Sequence, residues 1–178
     1  MSNESLKKIP KFKYHPNPFE TGVFHDDKSV VCDCCGETVD IYYPGKIYCI
    51  ADVEYLCPEC IASGKAAEKY DGVLVQGAEE NCVSDPKKIN ELFKRTPGYI
   101  SWQGEYWLTC CDDFCAYLGD IGTKELEEMG IANEVFAEYD QRCEYENVRE
   151  CLEKAGFLAG YLFRCLHCNK YHLWVDAE

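Results

Sequence analysis

Cysteine pairs at close spacing carry the chemistry of this chain. Three are two-residue knuckles, Cys32 with Cys35, Cys57 with Cys60 and Cys165 with Cys168, and a looser hook joins Cys111 to Cys115. A tetrahedral metal takes four soft ligands and a tight knuckle delivers two from one turn, so two knuckles close one site and four close two. The first expected site is Cys32, Cys35, Cys57 and Cys60; the second is Cys111, Cys115, Cys165 and Cys168. Two structural zinc ions are the expected cofactors. Cys34 could replace Cys35, although a one-residue gap makes a poorer chelate turn. Cys110 could replace Cys111, and His167 or His172 could replace a cysteine of the second site. An iron–sulfur cluster also takes four thiolates, but a two-plus-two ribbon arrangement favours zinc or a single iron. Four thiolates leave no open position for water, which speaks against catalytic zinc. Cys49, Cys82, Cys143 and Cys151 lack a partner at ligand spacing and read as core or neutral side chains.

The totals fix the setting of these sites. With 178 residues the chain can build one domain with a real core or two small lobes. Met1 to Lys8 are polar with no apolar run behind them, and no stretch approaches the roughly 18 apolar residues of a membrane span, so a cytosolic protein is expected. Cytosolic thiols stay reduced, so the 14 cysteines point to metal rather than to disulfides. The formal charge is -14. Filling each site adds four thiolates and one divalent cation, a change of about -2 per site, which would bring the total to about -18. Such a chain repels phosphate backbones, so nucleic acid is excluded as a partner and a basic protein is favoured.

The elements around the hooks follow a ribbon plan. Residues 9 to 24 hold Pro10, Pro16 and Pro18, which forbid a helix, so an extended segment with Phe12, Tyr14 and Phe19 packing on a sheet is expected. Gly36 follows the first knuckle, a hairpin is expected about Pro44-Gly45, and residues 61 to 70 read as helix. Asp85-Pro86 starts a helix with Ile89, Leu92 and Phe93 on its apolar stripe, and Thr96-Pro97-Gly98 stops it. Tyr99 to Leu108 reads as an aromatic strand bent near Gly104. Residues 123 to 156 read as acidic helices, the last capped by Asn147 with Glu150 and ended by Gly156, burying Val148, Cys151, Leu152 and Ala155. The chain closes as strand, knuckle, strand.

The fold class expected is therefore α+β: two zinc-ribbon-like knuckle and hairpin units with short acidic helices packed on small antiparallel sheets. One compact domain spans 1–178, with an N-terminal ribbon lobe over 9–75 and a C-terminal knuckle lobe over 83–178 that carries the acidic insert. From Glu105 to Glu153 there are 14 acidic residues against Lys124, Arg142 and Arg149, a balance of -11.

Ile9 to Pro18, Cys57-Pro-Glu-Cys60, Arg95-Thr-Pro-Gly-Tyr99, Trp102-Gln103, Cys115-Ala116 and Tyr161 to Cys168 together resemble the CbrC-like family of bacterial proteins. The resemblance covers essentially the whole chain. It implies a bacterial cytosolic protein of a largely uncharacterised family and brings no reaction with it. No nucleophile arrangement and no glycine-rich phosphate loop is legible, so no enzyme is expected. The favoured function is a zinc-stabilised protein-interaction module. Its partner would meet Glu127, Glu134 and Glu138 on the acidic face, or Trp102 and Trp107 on the aromatic stretch. Inhibition of a basic toxin such as a nuclease, and metal-dependent hydrolysis, are the alternatives.

Overall fold

Loops rather than long ladders make up most of residues 9–100. The computed structural model describes residues 9–142 and 145–178. Met1 to Lys8, Cys143 and Glu144 lie outside them, and with them the readings of the leading segment, of Cys143 as a core or neutral residue and of Glu144 in the acidic balance. Strand β1 (Val30–Val31) pairs antiparallel with β2 (Thr38–Val39), and the first knuckle is the turn between them. The hairpin expected about Pro44-Gly45 does not form. Tyr43 bridges Leu56 while Tyr48 bridges Val73, so the two arms go to different neighbours. Tyr43 is 3% exposed, and its ring lies under Gly45, where a Cβ would come within 2.2 Å of it. Burying that ring and Ile47 wins over local pairing.

The helical stretch after the second knuckle is broken in two, α1 (Pro58–Ala62) and α2 (Lys65–Tyr70), because Gly64 takes a left-handed φ of 77°. A two-residue β3 (Gly77–Ala78) precedes α3 (Pro86–Arg95), which starts as expected: the Asp85 carboxylate accepts from Lys87 N–H at 2.9 Å. The aromatic stretch is strand only over β4 (Tyr106–Trp107), parallel to β3. Then β5 (Thr109–Cys110) and β6 (Asp113–Phe114) form a tight hairpin that leads into β7 (Ala116–Ile121).

Helices α4 (Thr123–Glu128), α5 (Ala132–Tyr139) and α6 (Val148–Cys151) follow, and β8 (Leu158–Arg164) and β9 (Tyr171–Ala177) complete an antiparallel sheet in the order β7-β8-β9. The expected final helix is shorter than its pattern. Asn147 sits in the left-handed region and makes no side-chain cap, and the chain leaves the helix at Leu152, whose carbonyl accepts from Thr123 N–H. Val148 and Leu152 are buried as expected, but Cys151 and Ala155 are exposed.

The sheet separates two apolar clusters by the two-residue alternation of its strands. Ala159, Tyr161 and Phe163 of β8 join the larger cluster, which runs from Phe12 through the first knuckles to Cys165. Leu162, Leu173 and Val175 pack under α4, α5 and α6 in the smaller one. The larger cluster thus draws on both expected lobes. At its centre Tyr99 stacks on Tyr117 with ring centroids 4.3 Å apart and touches Trp107, Tyr161 and Phe163.

The N-terminal segment is fastened to this centre by a fully buried histidine. Nδ1–H of His15 donates to the Pro97 carbonyl at 2.8 Å, which keeps the proton of the neutral ring on Nδ1, and Nε2 lies 2.6 Å from the Thr21 hydroxyl. Burial lowers its pKa to about 4, although the Pro97 carbonyl favours the charged form. The unfolded chain takes up that proton near pH 6.5 and the folded one refuses it until about pH 4. Stability is therefore lost as pH falls through this window, by about 3 kcal/mol from this group. In urea titrations between pH 7 and pH 4, wild type should lose about that much more stability than His15→Gln; parallel curves for the two proteins would show that His15 is not held neutral.

Candidate metal centres

The first cluster is assembled by two turns of different kinds. Cys32 directly follows β1, and the chain reverses through Gly36, whose φ of 77° only glycine adopts readily and whose N–H donates to the Cys32 carbonyl at 2.8 Å. Cys57 stands at the N-cap position of α1, and Pro58 in the first turn brings Cys60 back beside it. The Sγ atoms of Cys32, Cys35, Cys57 and Cys60 all lie within 4.8 Å of one another. Helix α2 locks the first knuckle from outside. Lys69 Nζ donates to the carbonyls of Asp33 (2.7 Å) and Cys34 (2.8 Å), and Tyr70 OH donates to Asp33 at 2.7 Å. Cys34, the alternative to Cys35, stays outside the tetrad. The Cys57 thiol and backbone N–H groups converge on Cys32 Sγ, one of them from Cys57 at 3.2 Å, and hold the Cys32 thiol well below its ordinary pKa. That is the environment of a sulfur that gives up its proton to a metal.

The second cluster has a different membership from the one the spacing suggested. It consists of Cys110, Cys111, Cys165 and Cys168, again with all Sγ atoms within 4.8 Å. Cys115 is not among them. The β5–β6 hairpin explains the exchange: Cys110 pairs with Asp113, so Cys111 and Asp112 are its two-residue turn, with φ of 55° and 56°. Such a primed turn carries adjacent side chains at the tip. Both cysteines therefore face the knuckle between β8 and β9, with Cys110 Sγ 3.6 Å from Cys168 Sγ. Cys115 lies past the hairpin in the larger apolar cluster, fully buried. Its N–H donates to Leu108 and its carbonyl accepts the Trp107 indole N–H at 2.9 Å. Burial pushes its thiol pKa up.

The facing knuckle has Asn169 in the left-handed position, at φ 60°, where the first has Gly36. Cys165 Sγ accepts from the N–H groups of His167 and Cys168, each at 3.4 Å. Burial raises its pKa, but these donors and the neighbouring thiols outweigh it and bring it to about 6. Neither candidate histidine is a ligand here. His167 Nε2 meets Asp113 Oδ2 at 2.9 Å, and His172 Nδ1 meets Glu138 Oε1 at 3.0 Å.

Asp113 organises the surroundings of this second cluster. It is 1% exposed and accepts from Lys13 Nζ (2.9 Å) and Tyr14 OH (2.7 Å) as well as from the His167 ring. Burial pushes its carboxyl upward, yet these donors prevail and hold its pKa at about 2. At the hairpin tip, Asp112 accepts from Ser84 N–H and hydroxyl and is reached by Lys88 of α3.

The expected partner-facing residues are dispersed. Glu134 is exposed, and Glu127 is exposed with Arg149 3.4 Å away. Glu138 is half-buried: it takes two bonds from Arg142 and one contact from His172, fastening α5 to β9. Trp107 is fully buried and belongs to the core, so it cannot be an exposed anchor, whereas Trp102 is 50% exposed. Of the cysteines read as core or neutral, Cys82 is exposed and Cys49 half-buried, while Cys151, expected on a buried stripe, is exposed.

The exchange of Cys110 for Cys115 has a direct test. Cys110→Ser should lose one of the two metal equivalents by elemental analysis, and Cys115→Ala should keep both while losing stability through the cavity it leaves. The reverse pattern would restore the ligand set expected from spacing.

Comparison with known proteins adds a lineage. Residues 9–177 match the uncharacterised protein family UPF0167. A UPF0167 protein of Pseudomonas aeruginosa is 34% identical, with 94% of this chain and 97% of that one covered. UPF0167 proteins of Mycobacterium bovis and Mycobacterium tuberculosis are each 33% identical, with 96% of this chain and 94% of theirs covered. No solved structure matches. Two four-sulfur clusters on a mixed α and β framework, in a chain matched over nearly its whole length, make this protein a member of the uncharacterised bacterial family UPF0167.

Proposed function

We propose that the protein is a non-catalytic binding protein of the bacterial cytoplasm, fastened by two structural zinc ions and recognising a basic protein through its acidic helices. The observation that supports it best is the composition of the two clusters. Each is four cysteine sulfurs brought within 4.8 Å, with no oxygen or nitrogen donor in the set. Sulfur-only tetrads suit zinc and leave it no vacant position, so they support a fastening role over the hydrolase alternative. The resemblance to CbrC-like proteins belongs with this reading. An inhibitor of a cationic toxin is a special case of it.

The metal half of the reading is tested by composition. Protein purified without chelators should carry close to two zinc equivalents. Each should contribute folding free energy on the order of 10 kcal/mol, the scale of structural zinc in small peptides. Cys57→Ser should then collapse the N-terminal ribbon and Cys168→Ser the C-terminal knuckle. Iron in place of zinc, or less than half an equivalent of any metal, would refute the assignment.

The partner half is tested by salt. The net charge of -14 is concentrated on residues 105–153, and the Debye length falls from about 30 Å at 0.01 M to about 8 Å at 0.15 M. Capture of a basic protein should slow as salt rises, because steering acts mainly on association. The double reversal Glu127→Lys with Glu134→Lys should slow it further, while Glu138 is left intact because it holds α5 in place. A partner that associates with the double variant at the wild-type rate in low salt would remove this face from consideration.

A further inference from the structure

A cleft of about 600 Å³ lies away from both sulfur clusters, between the 43–48 segment and the 98–105 loop. Its floor holds a carboxylate. Glu105 is 6% exposed, and Tyr48 OH donates to its Oε2 at 2.5 Å. The loop that carries it is closed by Tyr99, whose hydroxyl donates to the Tyr106 carbonyl and accepts from the Tyr106 N–H. Gln103 ties the same loop to the end of β9, through Asp176 and the Ala177 carbonyl. The cleft is thus a built feature of the fold.

Three observations say what it would take. First, among the described residues the donors to Glu105 are neutral: Tyr48 and the backbone N–H groups of Gln76 and of Glu105 itself. Burial raises its pKa, and Lys46, exposed and lining the same cleft, is the weakest of the groups that offset this. A buried carboxylate is costly until a positive group pairs with it. Second, the Ser101 hydroxyl in the wall is buried without a partner. Third, the rim exposes two large apolar side chains, Ile100 at 72% and Trp102 at 50%. Glycines let the loop backbone pack closely on the polar groups of the wall: a Cβ at Gly98 would come within 2.2 Å of Glu105 Oε1, and one at Gly104 within 1.7 Å of Gln76 Oε1.

We propose that this cleft binds a small organic cation, a primary amine whose ammonium pairs with Glu105 while its apolar body lies along Trp102. Aromatic faces attract such cations, and the acidic chain as a whole concentrates them. This site is independent of the zinc ions and of the acidic helices.

The test uses the full metal-loaded chain and a graded set of primary amines, from butylamine to tryptamine, each beside the alcohol of matched shape. Binding is read by thermal shift and by saturation-transfer NMR. Amines should bind, and each matched alcohol at least about tenfold more weakly, since only the amine supplies the charge that Glu105 lacks. Glu105→Gln, which can still accept from Tyr48, should weaken the amines by a similar factor and leave the alcohols unchanged. Trp102→Ala should weaken the aromatic amines more than butylamine. Metal content and the circular dichroism spectrum confirm that each variant is folded. Alcohols that bind as well as amines, amines indifferent to Glu105→Gln, or no amine of the set bound at millimolar concentration would each overturn the proposal.

Discussion

Eight sulfur atoms held in two tetrads are the constraint on which the rest of this structure depends. Four thiols packed within 4.8 Å of one another would repel if all ionised, and a cation at the centre of each tetrad would relieve that repulsion. The demand is greatest in the N-terminal half, where the strands are two residues long and the helices five and six. Ladders of that length cannot position a core by themselves. The knuckles do so instead, and Leu56, Ile61 and Tyr43 pack directly behind the first tetrad. In the C-terminal half the seven-residue strands β8 and β9 form a sheet in their own right, and the second tetrad joins the β5–β6 hairpin to it.

Charge is organised around the tetrads as well as spread over the surface. Lys69 caps the outer carbonyls of the first knuckle, and Asp113 gathers Lys13, Tyr14 and His167 beside the second. In a chain of net charge -14, these few pairings place scarce cations where the backbone turns most sharply. The ion pairs of α5 work the same way. Glu138 is an anchor to β9, and the charge left facing water belongs to residues such as Glu127 and Glu134. The acidic face is therefore smaller than the run of carboxylates along the chain.

The aromatic residues divide between a core and a cleft. Tyr99, Trp107, Tyr117 and Phe163 stack into the centre of the larger cluster, and the loop that leaves Tyr99 returns to it at Tyr106. What lies between those two points, from Ile100 to Glu105, is tied at its middle as well, by Trp102 to Gly156 and by Gln103 to Asp176 and Ala177, and lines one side of the cleft.

Much of this was legible along the chain, because knuckles and caps are local. The four cysteines of the first cluster follow from two-residue spacing, Asp85-Pro86 starts α3 where a cap and a first-turn proline dictate, and the terminal strand, knuckle, strand order is the one observed. Spacing misassigned Cys115 because a primed two-residue turn puts adjacent Cys110 and Cys111 on the same tip, an effect of pairing between β5 and β6 that no hook pattern encodes. Likewise Trp107 and Trp102 look alike in sequence, and only packing buries one and exposes the other. The hairpin at Pro44-Gly45 and the long final helix failed for the same reason: burial of Tyr43, and the turn at Leu152 that returns to Thr123, outweighed local preference. The sequence by itself determined the chemistry of the chain, sulfur donors in short turns within an acidic protein, since those depend on neighbours a few residues apart. Only the tertiary structure decided which eight sulfurs converge, which carboxylates are anchors, and that Glu105 lies at the floor of a cleft, because each depends on contacts between segments far apart in the chain.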